Sequence, residues 1–461
     1  MQRVLIAGVS TRAAAESAAR SGFDVTAIDS FGDLDQHASV RALSIPRPFS
    51  AHAAARAARR IESDAVAYLS NFENHPDAVR MLAAGRELWG NTPEVLRRVR
   101  DPMILVRALR RRGWAAPAVR AASQRSVNSP DQVRARLRSS SFPPSPQLPP
   151  SREALRRGLA EARSASFQRA QADVEVSPER FARRRTRLRW TVAESAKAED
   201  ERHDEGDVPD DRDRRWLLKP LASGGGHAVR PWHQDAAPPS GCYLQELITG
   251  AAHSVVFVAA AGRAVPLGVT RQVVGEGAFG ATGYRYCGNI LASDDDARLV
   301  DAACALARAI AEEFDLVGVN GIDFIARDAC PYAVEVNPRW TAAMELVELL
   351  YGVPVFEAHA AACTSAALPA FDLAHARRCA RAAGKAVVFA REDVTIGDTQ
   401  AWIADGSVRD VPHPGELIRA GRPVCTVFGT GPDDAACYAA LVRRAQRVYA
   451  DLAAWKVERG R

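Results

Sequence analysis

Near the amino terminus, apolar and polar positions alternate in a strand, helix, strand order. Val4, Leu5 and Ile6 form an apolar run that stops at Gly8; an alanine-rich stretch with helical spacing covers about residues 11–21, and DVTAID ends at Asp29. This predicts half of a parallel α/β unit, extended by a third strand in AVAYLSN at 65–71 and a helix beyond it. A helix over about 102–112 carries a C-cap signal in Gly113. Apolar runs in WLLKP, YLQELI, HSVVFVAA and RAVPLGVT then predict strands, followed by a helix over 297–314. Residues 321–326 and 332–337 alternate like the two strands of a hairpin, with 327–331 of loop length. A helix from about 342, strands in GKAVVFA and RPVCTVFG, and a helix from about 433 close the chain as an α+β region. The expected fold class is α/β and α+β, multi-lobed, with a parallel α/β lobe at 1–100, a central region at 101–365 and an α+β lobe at 366–461.

Residues 121–215 break this order. Ser- and Pro-rich text (SSSFPPSPQLPPS) is followed by the arginine cluster FARRRTRLRW and the acidic run AEDERHDEGDVPDD. Such composition buries too little apolar area to offset ordering entropy, so a flexible insertion is expected, open to proteolysis.

Composition narrows the class. At 461 residues and 47% hydrophobic, the chain is long enough for two to four lobes. No window has about eighteen uninterrupted apolar residues, and the opening MQRVLIAGVS reads as a strand, so no membrane partner and a cytoplasmic location are expected. The net charge of +6 comes from arginines mixed with acids, which argues against a nucleic-acid partner. All eight cysteines follow residue 241 without a CxxC pair, which favours buried free thiols such as Cys304 and Cys425. Only four lysines occur, Lys197, Lys219, Lys385 and Lys456, so a lysine in a structured segment is informative.

Asp29 ends a second strand, as in a dinucleotide site. After Gly8, however, the sequence runs VSTRA without the further glycines that let backbone approach a pyrophosphate. Glu73 and His75 follow the third strand, where parallel sheets commonly line ligands. The stronger signal is the hairpin. With the turn centred on Ala329, Asp323 and Glu335 stand opposite each other and share one face with Asn337, while Ile322, Phe324, Val334 and Val336 share the other. Carboxylates with Cβ atoms about 5 Å apart repel, and a cation between them removes the repulsion. Two carboxylates and an amide suit magnesium, which also takes phosphate oxygens. On this reading the ligand-free protein carries a like-charge strain, and Glu335→Gln should melt no lower than the parent.

WLLKPLASGGGHAV places Lys219 at a strand end before three glycines, whose backbone N–H groups can close over an anion. A lysine–phosphate contact contributes about 1.5–3 kcal/mol. Because the lysine precedes the glycines and no GK[ST] follows, this is not a P-loop. In YLQELI, a strand exits toward the next lobe and offers an adenine edge the backbone, with Gln245 or Glu246 near the exocyclic amine.

In this order and spacing the three motifs resemble the ATP-grasp superfamily, over essentially the chain outside the insertion. Residues 219–227 are similar to its glycine-rich loop in the biotin-carboxylase form, residues 245–248 to its adenine hinge, and Asp323 with EVNPR to its metal hairpin. Gly90-Asn91 and Arg100-Asp101 resemble the hand-over from its N-terminal (pre-ATP-grasp) lobe. The resemblance implies ATP and Mg2+ as cofactors. It gives nucleotide contacts at Lys219, Ser223, Gly224, Gly225, Gly226, His227, Gln245, Glu246, Leu247 and Ile248, and metal ligands at Asp323, Glu335 and Asn337. Arg339, with Arg271 as a second candidate, would face the charge developed in the reaction. Two features depart from the pattern: Pro102 stands where many relatives have a second phosphate lysine, and Ala252 where an acid often holds the ribose.

The implied reaction is phosphorylation of a carboxylate by ATP, then displacement of phosphate by an amine, so a carboxylate and an amine are the expected small-molecule partners. The closing region and GVNGIDFI look like a subgroup related to biotin carboxylase that includes the tyramine–glutamate ligase of methanofuran synthesis, which implies glutamylation of a cofactor precursor. A biotin-carboxylase-like activity and a catalytically idle ATP-binding regulator are the alternatives. The sequence leaves a homo-oligomeric state open.

Overall fold

Alanine and other small apolar residues let the first lobe pack helices close to its sheet. In β1 (Arg3–Ala7), α1 (Arg12–Arg20), β2 (Asp24–Asp29), β3 (Arg41–Ser44), α2 (Ala51–Ala58), β4 (Ala65–Tyr68), α3 (Pro76–Leu82), β5 (Glu87–Trp89) and α4 (Pro93–Val99), strands alternate with right-spaced crossovers. The sheet is parallel with order β3-β2-β1-β4-β5. Its central strands, β1 and β4, are buried almost throughout, as a sheet covered on both faces requires. Asp29 is occupied structurally: it accepts the Thr11 hydroxyl at 2.8 Å and the N–H groups of Phe31 and Gly32. It therefore shapes the turn after β2.

The computed structural model describes residues 1–121, 214–233, 238–293 and 296–459, all within one compact unit. The insertion expected over 121–215 lies, but for its edges, outside the described residues.

In α5 (Pro102–Arg111), Asp101 caps the N–H groups of Met103 and Ile104 at 2.8 and 3.1 Å, and Pro102 takes the first helical position. Proline is pre-organised there and lacks an N–H that would be unsatisfied in any case. That is the physical reason for proline at 102. A small antiparallel sheet of order β6-β9-β7-β8 follows, built from β6 (Val119–Ala121), β7 (Trp216–Pro220), β8 (Arg230–Trp232) and β9 (Cys242–Glu246) around Trp216, Leu218 and Leu244.

The largest sheet begins with β10 (Ala251–Ala260), β11 (Arg263–Val274) and β12 (Tyr286–Leu291), then α6 (Ala297–Phe314), β13 (Gly318–Arg327) and β14 (Cys330–Asn337). Helices α7 (Ala343–Tyr351), α8 (Val355–Ser365) and α9 (Leu373–Cys379) precede β15 (Ala382–Phe389), β16 (Val394–Thr395), α10 (Gln400–Asp405), β17 (Val408–Arg409), β18 (Leu417–Ile418), β19 (Pro423–Gly431) and α11 (Asp434–Arg459). The order β14-β13-β10-β11-β12-β15-β19-β17 is one continuous antiparallel sheet, so the strands expected as a lobe of their own from 366 extend it.

Alternation on β10 decides what each face of that sheet does. Val255 and Phe257 face α6, packing with Leu306, Ile310, Phe314, Ile322 and Phe324. Burying each such side chain is worth about 1.5–3 kcal/mol. Val256 and Val258 face the other way, under Met344, Val347 and Phe356 of α7 and α8. That second face turns polar where the two helices stop, at Ser254, Thr270 and Asn289, which hydrogen-bond one another at 2.7–3.4 Å. The eight cysteines are free; Cys287, Cys304, Cys425 and Cys437 are buried, whereas Cys379 is exposed. Among the described residues no single helix is long and apolar enough to cross a membrane.

Candidate active site

The β13–β14 hairpin turns through Asp328 and Ala329, both with positive φ (53° and 59°), between the paired residues Arg327 and Cys330. A two-residue turn of this kind matches the twist of the strands. It is shorter than the loop expected from the sequence, and it sets Phe324 opposite Ala333. Continued unbroken, that register would place Asp323 opposite Val334. A bulge instead restores the pairing Asp323–Glu335, so the two carboxylates share a face as the sequence suggested, for a reason the sequence did not show. The correction falls on Val334: Ala333 and Val336 fill the core, and Val334 is half-exposed. Its carbonyl, at the bulge, accepts the Gln245 side-chain amide at 3.2 Å.

Asp323 is held by two amides, Gln272 at 2.8 Å and Asn337 at 2.9 Å. Burial, and next the charge of Glu335, push its carboxyl up to about 6. Burial pushes Glu335 in the same direction, but the Arg100 guanidinium and then Lys219 outweigh it and hold the Glu335 carboxyl below its ordinary value. Arg100 is ion-paired with Glu335, donates to the Val336 carbonyl at 2.9 Å and to Asn74 Oδ1 at 2.9 Å, and lies 3.5 Å from the Ser223 carbonyl. The charge of Glu335 is thus balanced in part by an arginine from the residue before the α5 cap, which eases the like-charge strain expected for the hairpin without removing it.

Lys219, at the end of β7, donates to Gln245 Oε1 at 3.1 Å. The loop after it bends back so that Gly225 accepts the Tyr286 N–H at 3.1 Å. Gly226, at φ 72°, lies so close to the Tyr284 carbonyl that a Cβ would stand 1.8 Å from its oxygen. Gly224, Gly225 and His227 are exposed, and nothing lies within 4 Å of a Cβ placed at 224 or 225. Close approach to β12 is thus what requires glycine at 226. Gly226→Ala should raise the Michaelis constant for ATP at least fivefold and Gly225→Ala less, through its φ of 61° alone; Gly224→Ala should be neutral. Steady-state kinetics on the three variants check this order.

Arg339 donates to Glu73 Oε1 at 2.7 Å and to Asn337 Oδ1 at 3.2 Å, so Glu73 joins the site from the loop after β4. Glu73 is 2% exposed and its second oxygen has no partner. His75 instead packs edge-on against His52, on α2. Asn91 joins the first lobe to the hairpin through Asn320 at 2.9 Å and the Pro338 carbonyl at 3.2 Å.

Residues 196–343, about a third of the chain, match the ATP-grasp domain family. Over 97% of both chains the structure resembles the L-amino acid ligase of Bacillus licheniformis, with a TM-score of 0.59 and 12% identity. A biotin carboxylase of Campylobacter jejuni, solved as a β-γ-ATP complex, aligns over 95% of this chain and 89% of its own with a TM-score of 0.60 and 12% identity. The chain has the ATP-grasp fold. An uncharacterized protein of Methanocaldococcus jannaschii is 26% identical over 121 residues, 26% of this chain and 28% of that relative's length.

Within the ATP-grasp fold, two groups of residues sit differently from the expectation. Arg271 is adjacent in β11 to Gln272, so its side chain leaves the opposite face of the sheet; it forms a two-bond ion pair with Asp434 of α11 at 2.8 and 2.9 Å. It anchors a helix, and Gln272 is the β11 residue that reaches the carboxylates. In the hinge, the Glu246 carboxylate accepts the Ala118 N–H at 2.8 Å, and the Glu246 and Leu247 N–H groups donate to the carbonyls of Ala118 and Arg215. Gln245 ties Lys219 to the hairpin, and Ile248 is buried. Both Gln245 side-chain ends are thus engaged within the protein, whereas Glu246 keeps acceptor capacity on its second oxygen.

Asp323, Glu335 and Asn337 fit a magnesium ion by donor type. They are hard oxygen ligands on one strand face, two of them directly paired, and few enough to leave positions for phosphate and water. No cluster of three or more His, Cys, Asp or Glu suited to a metal occurs among the described residues; the third oxygen donor on this face belongs to the Asn337 amide.

Proposed function

We propose that this chain is an ATP-dependent, ADP-forming carbon–nitrogen ligase that joins a carboxylate to an amine through an acyl phosphate. The observation that carries the proposal is the pairing of Asp323 with Glu335 on a face where Lys219, Arg339 and Glu73 also converge. Asp323, Glu335 and Asn337 would hold a magnesium ion, which would supply charge neutralisation to the triphosphate. Lys219 and the open glycines at 224 and 225 hold phosphate oxygens. Arg339, fixed by Glu73, faces the charge that develops as the γ-phosphoryl group moves to the carboxylate. With little covalent work for the protein to do, positioning and electrostatics supply the rate.

The finer reading is glutamylation of an amine-bearing cofactor precursor. It rests on the likeness of the closing region and of GVNGIDFI to ligases of that kind. ADP release measured against amino acids paired with aminomethyl-furan and phenethylamine compounds tests both levels. Release that requires one carboxylate and one amine together is expected. Bicarbonate-dependent release without an amine would indicate a carboxylase, and tight ATP binding without release a nucleotide-binding regulator.

A further inference from the structure

The cation paired with Glu335 comes from the protein itself. Arg100 approaches from the segment before α5, its side chain 11% exposed, and contacts three pieces of the site at once. One amino group is on Glu335 and the Val336 carbonyl; the other is on Asn74 and near the carbonyl of Ser223, which opens the glycine loop. Its Nε is buried with no partner. A buried guanidinium N–H left unpaired is costly, and Arg100 thus has a donor in reserve. Asn74 also donates to the Ser223 carbonyl at 3.5 Å, so Arg100 and Asn74 together draw the loop toward the hairpin.

Arg100, Lys219, Ser223, Tyr243 and Glu335 line one small, open pocket beside this contact. Arg100 is paired with a carboxylate proposed to hold the metal, and its charge also suits a phosphate.

We propose that Arg100 is a place-holding cation: it occupies the metal's side of Glu335 while the site is empty and transfers to a phosphate oxygen when Mg·ATP arrives. The inference rests on the ATP reading of the site. Arg100 thereby competes with the metal for Glu335 and cooperates with it on the nucleotide. It also supplies, from two positions earlier in the chain, the second basic group that Pro102 does not provide. An arginine suits both states, since its planar fork pairs with a carboxylate or a phosphate in the same geometry.

These two roles move two affinities in opposite directions, which a merely structural residue would not do. Arg100→Gln keeps a hydrogen-bonding side chain and removes the charge; Arg100→Lys keeps a charge and loses the fork. Each would be titrated with Mn2+ alone, followed by electron paramagnetic resonance, and with AMP-PNP at saturating Mg2+ by calorimetry, after circular dichroism has shown a folded chain. For Arg100→Gln, Mn2+ binding should tighten and AMP-PNP binding weaken, each by roughly tenfold, with Arg100→Lys between it and wild type. Both affinities falling together, or neither changing, would overturn the place-holder. Wild type that binds no Mg·AMP-PNP would overturn the ATP reading instead. Should Arg100→Gln fail to fold, the lysine variant decides alone: tighter Mn2+ with weaker AMP-PNP supports the proposal, and any other pattern opposes it.

Discussion

Glu335→Gln is expected to lower the melting point of the ligand-free protein by a few degrees and to abolish ATP turnover. Read from the hairpin pattern alone, the first half has the opposite sign, because two facing carboxylates should repel. The structure reverses it: Glu335 is the counter-charge of a buried Arg100, and Asp323 is held by Gln272 and Asn337. Glutamine still accepts a hydrogen bond but leaves the guanidinium without a full counter-charge, a cost of about 2 kcal/mol. For a chain of this size that corresponds to roughly 4 °C or less. On the proposed function turnover should be lost, because glutamine would replace a hard anionic metal ligand. The stabilisation that Mg·ATP adds by mass action should shrink with the weakened binding. Thermal melts of both proteins, with and without Mg·ATP, report both halves. An unchanged or raised ligand-free melting point would mean that the Arg100–Glu335 pair does not contribute as described.

The second large effect is at Lys219. Lys219→Ala should raise the Michaelis constant for ATP by about 10- to 150-fold, the equivalent of one charge-assisted phosphate contact. Its effect on the fold should be small, about 1 kcal/mol or less, since its hydrogen bond in the ligand-free state is to a single amide oxygen, Gln245 Oε1. Lys219→Arg should recover only part of the loss, because the longer planar group does not sit where a compact ammonium does. Full ATP kinetics on the three proteins, alongside their melting points, test this. A Michaelis constant for ATP unchanged in the alanine variant would remove Lys219 from the phosphate site.

Hydrophobic patterning made most elements of the fold legible. The 297–314 helix and the two hairpin strands follow from apolar spacing that no neighbour overrides. What patterning could not show was register. The Asp323–Glu335 pairing results from a turn centred half a residue from the expected position and a bulge that compensates for it. Bulges follow from tertiary demands, here the packing of Ala333 in the core and the Gln245 contact at Val334, and they leave no local signature. The Arg271 error is of the same kind. Within one strand, neighbours face opposite sides, so choosing Arg271 over Gln272 sent the inferred group to the wrong face. Arg100 was visible as part of a hand-over segment. Its reach to Glu335 depends on Asp101 capping α5 and aiming the residue before it, a geometry with no counterpart in residue spacing.

The proposed function requires that one site bind ATP through a metal on the Asp323–Glu335 face. Calorimetric titration of AMP-PNP into wild type and Asp323→Asn, each with Mg2+ and with a chelator, tests it most directly. Wild type should bind one nucleotide per chain with Mg2+ and far more weakly without it, and Asp323→Asn should lose most of that metal dependence. Equal binding in all four titrations, or none in wild type with Mg2+, would contradict the account.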